Sequence, residues 1–276
     1  MFALYGFYAG AEGRRSMNDR EFGRLKLWQS LTEYQKSLLK EGERLDDLYR
    51  CGLKLIQQPR YFCIGSDAVL LADFAEICAE DRVLEAGCGN GGLLLLLYTK
   101  NTAADYLGLE IMANSAELAQ RNLRLNGLED KISIVCGDFR NLHRADIGKF
   151  DKIICNPPYS PLSACRLSSV PERAAARFEL NGNLADFFQA AAKNLKPEGS
   201  FYLVIPSRRT AETASAAAAA GFFCRRKRQV LAAKTAEPLL CLWEFSLREE
   251  QTVCLPPVSI TYADLVCKQH WPQRFD

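Results

Sequence analysis

The apolar stretch Arg82-Val-Leu-Glu85 runs almost directly into Gly87-Cys-Gly89-Asn-Gly91-Gly92 and then into a leucine-rich run over 93–98. A strand that turns through glycines into a helix opens a parallel βαβ unit, because parallel strands need a crossover and a helix supplies it. The pattern repeats downstream. Further short apolar strands are expected at 105–109, 132–135, 152–155 and 201–205, with helices at 115–125 and 184–195 between several of them. The alanine-rich run 214–220 reads as another helix, closed by Gly221. No helix separates 222–231 from 239–247, which therefore read as an antiparallel pair. The fold class is α/β.

Ahead of this core, Phe22, Leu25, Trp28, Leu31, Tyr34 and Leu38 recur at steps of three or four, one helical stripe over 19–40 that would pack on the main domain. A helix over 67–75 follows, with Ser66 or Asp67 as its cap. The expected organisation is a helical extension over 1–42, a core domain over 43–250 and a tail over 251–276. No basic segment precedes the apolar residues 1–10, which makes them a poor secretory signal, and Met17 offers an alternative start.

Composition narrows the function classes. With 48% hydrophobic and 25% charged residues the chain is an ordinary globular protein, and no apolar run approaches the roughly 20 residues of a membrane span. Eleven cysteines with no Cys-x-x-Cys pair suit a reducing cytoplasm better than a disulfide framework or a zinc site. His143 and His270 are the only histidines, too few for histidine-rich metal chemistry, so no metal is expected. A net charge of +2 excludes a globally basic nucleic-acid binder. A local patch remains: Arg208, Arg209, Arg225, Arg226, Lys227 and Arg228 lie within 21 positions against one acid, Glu212. Such a patch either tracks RNA phosphates or is a solvated face.

Gly87, Gly89 and Gly92 satisfy G-x-G-x-x-G, a pattern of low specificity by itself. Glu85 points away from a dinucleotide. A carboxylate on the strand end before the glycines is badly placed beside a pyrophosphate and well placed to anchor the amino group of a methionine-type tail. Glu110 ends the second strand, where an acid accepts both hydroxyls of a ribose, although it can equally cap the next helix. Asp138 ends the third strand and can accept from an adenine amino group with Phe139 beside the ring, or serve as a turn residue.

Asn156-Pro157-Pro158-Tyr159 follows the fourth strand directly. Two prolines end the strand and fix the turn, which leaves the Asn156 carboxamide and the Pro157 carbonyl at the sheet's carboxyl edge. Both oxygens can accept the N–H hydrogens of a planar amine, drawing its nitrogen toward tetrahedral geometry and freeing the lone pair for attack. Tyr159 can stack on the flat substrate.

With these motifs the chain resembles the S-adenosylmethionine (SAM)-dependent methyltransferases that carry Asn-Pro-Pro-Tyr. More narrowly it resembles the bacterial tRNA(Val) adenine-37 N6-methyltransferase family, over about 43–247. The match takes in Glu43-Arg-Leu-Asp-Asp-Leu, Gly52-Leu-Lys-Leu-Ile-Gln-Gln-Pro, Phe62-Cys-Ile-Gly-Ser-Asp67-Ala-Val-Leu-Leu-Ala, Ala176-Arg177-Phe178 and Phe201-Tyr-Leu-Val-Ile-Pro206. The resemblance implies a Rossmann-like seven-stranded sheet, order 3-2-1-4-5-7-6 with one strand reversed. It also implies SAM on Glu85, Gly87, Gly89, Glu110 and Asp138, next to Phe139 and Asn156, and the target adenine on Asn156, Pro157, Pro158 and Tyr159. tRNA is the expected partner, and Arg177, Arg225, Arg226, Lys227 and Arg228 are its candidate contacts, with Arg166 and Arg173 in the loop after the motif. Two alternatives stand beside this reading. One is a protein-glutamine N5-methyltransferase, which would carry a larger N-terminal helical domain; the other is a SAM-binding protein without catalysis.

Overall fold

The structure, a computed structural model, describes residues 19–61, 63–142, 148–157, 183–233 and 235–260. The expected single helix over 19–40 is two helices, α1 (Asp19–Gln29) and α2 (Glu33–Ser37). Thr32 breaks them: its hydroxyl accepts from the Gln35 N–H while the Gln35 side chain accepts from the Thr32 N–H, a capping box that starts a new helix. Leu31 and Leu38 of the stripe are buried, whereas Tyr34 is 58% exposed.

A hairpin that the periodicity did not predict follows, β1 (Arg44–Asp47) paired antiparallel with β2 (Lys54–Gln57). Helix α3 (Ser66–Phe74) has Gly65 as its N-cap, so neither Ser66 nor Asp67 is its cap residue; Asp67 Oδ1 accepts from the adjacent Ala68 N–H. The core alternates as expected: β3 (Arg82–Ala86), α4 (Gly92–Tyr98), β4 (Asp105–Glu110), α5 (Ala113–Asn126), β5 (Ile132–Cys136), β6 (Phe150–Cys155), α6 (Leu184–Asn194), β7 (Leu195–Pro206), α7 (Thr210–Ala219), β8 (Phe223–Ala232) and β9 (Pro238–Ser246).

The strand order is β5-β4-β3-β6-β7-β9-β8, with β9 antiparallel to both its neighbours and the others parallel. That is the expected order with its one reversed strand. The sheet has nine strands, not seven, because β10 (Val253–Cys254) and β11 (Val258–Ile260) pair parallel with β8. They cover what would otherwise be an open edge, so the sheet continues beyond residue 250.

Two apolar clusters fill the two faces. One joins α3 and α4 to Val83, Tyr106, Ile154, Tyr202 and Leu242. The other joins α6 and α7 to Leu84, Ile153, Phe201, Leu203 and Phe245. The segment before the sheet is anchored to α5. Buried Arg121 donates two hydrogen bonds of 2.6 Å to buried Glu43, and another to the Leu38 carbonyl. Asn122 and Asn126, one helical turn apart on α5, each bond the backbone N–H and carbonyl of one β2 residue, Ile56 and Lys54 respectively. Two side-chain amides thus act as a short partner strand for β2.

Candidate active site

The carboxyl ends of β3, β4 and β6 bring the sequence candidates together. Register puts Glu85 beside Gly108 and Ile154, and Ala86 beside Cys155. Asn156 and Pro157 therefore leave β6 level with the start of the glycine loop. Pro157 is buried and Asn156 half-buried. Pro158, Tyr159, Arg166, Arg173 and Arg177 lie outside the described residues.

The loop turns through left-handed backbone at Gly87 (φ +77°) and Gly89 (φ +54°), which only glycine adopts without strain. A Cβ at either position would meet nothing within 4 Å, so both present bare backbone to open space. Gly92 is needed for a different reason: its Cβ would lie 2.8 Å from Ile64 Cδ1 and 3.1 Å from Leu55 Cδ2. The loop is fastened from both sides. Gly87 and Cys88 donate to the Leu109 carbonyl, Gly89 donates to Glu110 Oε2 at 2.8 Å, and the Asn90 carbonyl accepts from Asn122 Nδ2 at 2.9 Å.

Glu85 is 3% exposed, and its Oε2 is buried without a hydrogen-bond partner. Burial, then repulsion from Glu110, push its carboxyl well above the ordinary carboxylate range, and a backbone hydrogen bond from Leu94 opposes them. Glu110 is buried too and is raised by burial, despite accepting from the N–H groups of Met112 and Gly89. Each Glu110 oxygen accepts one of these bonds and keeps a lone pair for another donor. Both the sugar-binding and the helix-start readings of Glu110 are therefore compatible with its geometry. Two buried acids with an orphaned oxygen are an electrostatic deficit that a cationic ligand would remove.

Asp138 caps a single 3₁₀ turn, Phe139–Asn141, and Arg140 grips its carboxylate through Nε and Nη2, which lowers its pKa. Phe139 is 5% exposed, packed in the core with its ring 6.2 Å from that of Phe187. The basic run on β8 is divided by the fold. Arg226 is paired with buried Glu244 and with Glu76, and Arg225 bridges Glu244 and Glu250. Lys227 lies over the Trp243 ring on the other face at 5.8 Å. Arg209 is buried against Glu212, far from serving as a surface cation. Sequence reasoning missed Asn122, Asn90 and Gln57, which join the hairpin to the glycine loop; the Asn-x-x-x-Asn spacing on α5 was the available signal. Among the described residues no group of three His, Cys, Asp or Glu side chains is placed to hold a metal, and no helix is long and apolar enough to cross a membrane.

Strand order, glycine loop and paired strand-end acids define a Rossmann-like SAM-dependent methyltransferase. A methyltransferase-domain family model matches residues 77–238. A tRNA1(Val) (adenine(37)-N6)-methyltransferase of Bacteroides thetaiotaomicron is 30% identical over 190 residues, 68% of this chain and 78% of the relative. One of Pasteurella multocida is 27% identical over 206 residues, 74% and 81% of the two chains. The chain belongs to the tRNA1(Val) (adenine(37)-N6)-methyltransferase family. Solved structures share the fold at lower identity. A predicted O-methyltransferase of Agrobacterium tumefaciens aligns with TM-score 0.57 at 18% identity, over 71% of this chain and 88% of the other. The M. jannaschii tRNA m1G37 methyltransferase aligns with TM-score 0.53 at 14% identity, over 77% and 56%.

Proposed function

We propose that the chain transfers the methyl group of SAM to the exocyclic N6 of an adenine in tRNA, adenine 37 beside the anticodon as in the names of its relatives. The observation that carries this reading is the adjacency of two unlike features at neighbouring strand ends. One is the buried, partner-seeking Glu85 carboxylate, and the other is Asn156-Pro157, leaving β6 one residue past the Ala86–Cys155 pair.

In this reading Glu85 holds the ligand's amino group, the backbone at Gly87 and Gly89 lies against the chain of the ligand, and Glu110 accepts from its ribose. SAM supplies a sulfonium methyl as the electrophile, and its sulfur leaves with the S–CH3 bonding pair as a neutral thioether. The Asn156 carboxamide oxygen and Pro157 carbonyl accept both N6 hydrogens, which orients the nitrogen lone pair and stabilises the positive charge that develops there. The adenine amine is nearly neutral, so lone-pair alignment, and not a matched general base, begins the reaction. A proton leaves the nitrogen afterwards, and the same carbonyl oxygens hold it until it passes to solvent. The family's tRNA substrates and the free cysteines fit a cytoplasmic enzyme.

The test offers methyl-labelled SAM with three acceptors in parallel: bacterial tRNA, genomic DNA and a protein extract. N6-methyladenosine in the tRNA digest alone is the expected result. Label in protein alone would transfer the Asn156 chemistry to a glutamine amide and remove RNA from the account.

A further inference from the structure

Strand β8 places Arg226 and Arg228 two residues apart, and so on one face of the sheet. On that face Arg226 lies over the Phe74 ring of α3, its guanidinium carbon 5.2 Å from the ring centre. Glu244 and Glu76 occupy part of the Arg226 guanidinium, yet its Nη2 is buried with no acceptor. Arg228 is half-buried, has no acidic partner among the described residues, and its Nε is likewise buried with no acceptor. Burial and the neighbouring Arg226 charge both disfavour its protonated form. The two neighbouring guanidiniums form a cationic notch in which, among the described residues, acids reach only Arg226. The half-buried Arg228 side chain carries further guanidinium N–H donors, which an anion with several oxygens, such as a phosphate, can bridge.

The notch is level with the catalytic motif. Arg228 pairs with Leu242, which pairs with Val204, one residue beyond the Leu203–Cys155 pair. That is the level of Asn156, with the two intervening strands β7 and β9 setting a lateral separation of roughly 14 Å.

We infer that Arg228, beside Arg226, binds a backbone phosphodiester of the RNA substrate while its target base is at Asn156. Among the four consecutive basic residues 225–228, Arg228 is the phosphate ligand and Arg226 first secures the sheet through Glu244. The inference rests on the RNA reading of the site.

The test uses the full chain and an unmodified tRNA1(Val) transcript, with affinity measured by fluorescence anisotropy across a series of KCl concentrations. Arg228→Gln should weaken binding about 3- to 10-fold near 0.1 M KCl and lower the log–log salt slope by about 0.7–0.9, the share of one phosphate. Arg228→Lys, which keeps the charge, should retain the slope. SAM affinity within two-fold of wild type shows that the variant is folded. An unchanged slope and RNA affinity in a folded Arg228→Gln would overturn the inference while leaving tRNA methylation by the wild type intact. Failure of the wild type to bind or methylate tRNA would instead overturn the RNA reading. If millimolar inorganic phosphate raised the melting temperature of wild type but not of Arg228→Gln, and RNA affinity stayed equal, the notch would be a small-anion site and the RNA assignment wrong.

Discussion

Replacing Glu85 by Gln should strengthen the fold and weaken the site together. In the ligand-free protein this side chain is 3% exposed, faces Glu110 and carries an oxygen with no partner. Removing the charge removes its burial cost and the repulsion, worth about 1–2 kcal/mol once the new amide's own unmet bonds are counted. For a chain of this size that is a rise in melting temperature of about 3–6 °C. The same change deletes a charge-assisted contact to the ligand's amino group, about 1.5–3 kcal/mol, so SAM should bind about 10- to 150-fold more weakly. The pH dependence has a definite sign. Because the folded-state pKa of Glu85 is raised, its contribution to the stability of the free protein is greatest below the ordinary carboxylate range and is lost as pH rises through the raised value. SAM affinity runs the other way. It rises with pH until Glu85 is fully ionised, with proton release on binding below that point, and falls again near about pH 8 where an α-amino group loses its proton. Differential scanning fluorimetry and titration calorimetry read both effects. A lower melting temperature for Glu85→Gln, or unchanged SAM affinity, would refute the reasoning.

Arg226→Met leaves the Glu244 carboxylate, which is 1% exposed, with the longer 3.5 Å contact to Arg225 in place of its close cation. Because Glu244 still accepts from the Ser200 hydroxyl at 2.8 Å and the Tyr202 hydroxyl at 3.1 Å, the expected loss is about 2–4 kcal/mol in urea unfolding, at the low end for a broken buried pair. Adding Glu244→Gln should restore at least about 1 kcal/mol, and no recovery would mean that the pair is not coupled. Asn122→Ala leaves the Ile56 N–H, the Ile56 carbonyl and the Asn90 carbonyl without their partner, for about 3–5 kcal/mol and a measurable loss of SAM affinity as the glycine loop loosens. Gly92→Ala drives a methyl into Ile64 and Leu55. The expected cost is about 1–2 kcal/mol after the helix-propensity gain, checked by the same unfolding curves.

The residues that chemistry compels were the legible ones. Gly87 and Gly89 must be glycine to turn at positive φ beside open space, so both can be read in one dimension. The β1–β2 hairpin could not, because its docking depends on Asn122 and Asn126, which lie 66 and 72 residues from their β2 partners and look like ordinary polar helix positions. The run Arg225–Arg228 reads in sequence as one uniform patch. Its division into a sheet-securing Arg226 and an Arg228 with no acidic partner among the described residues follows from Glu244, 18 residues beyond Arg226, arriving opposite through antiparallel pairing. The break between α1 and α2 was readable: Thr32-x-x-Gln35 is a capping box, outweighed by an apolar stripe that runs across it.

The most direct test of the central claim compares wild type with Asn156→Ala, each given trideuteromethyl SAM and unmodified tRNA, with the RNA digested to nucleosides for mass spectrometry and SAM affinity measured alongside. The account predicts labelled N6-methyladenosine from the wild type, none from the variant, and SAM affinities within a few-fold of each other. Label on another base or another adenine nitrogen, or equal N6-methyladenosine from the variant, would contradict it.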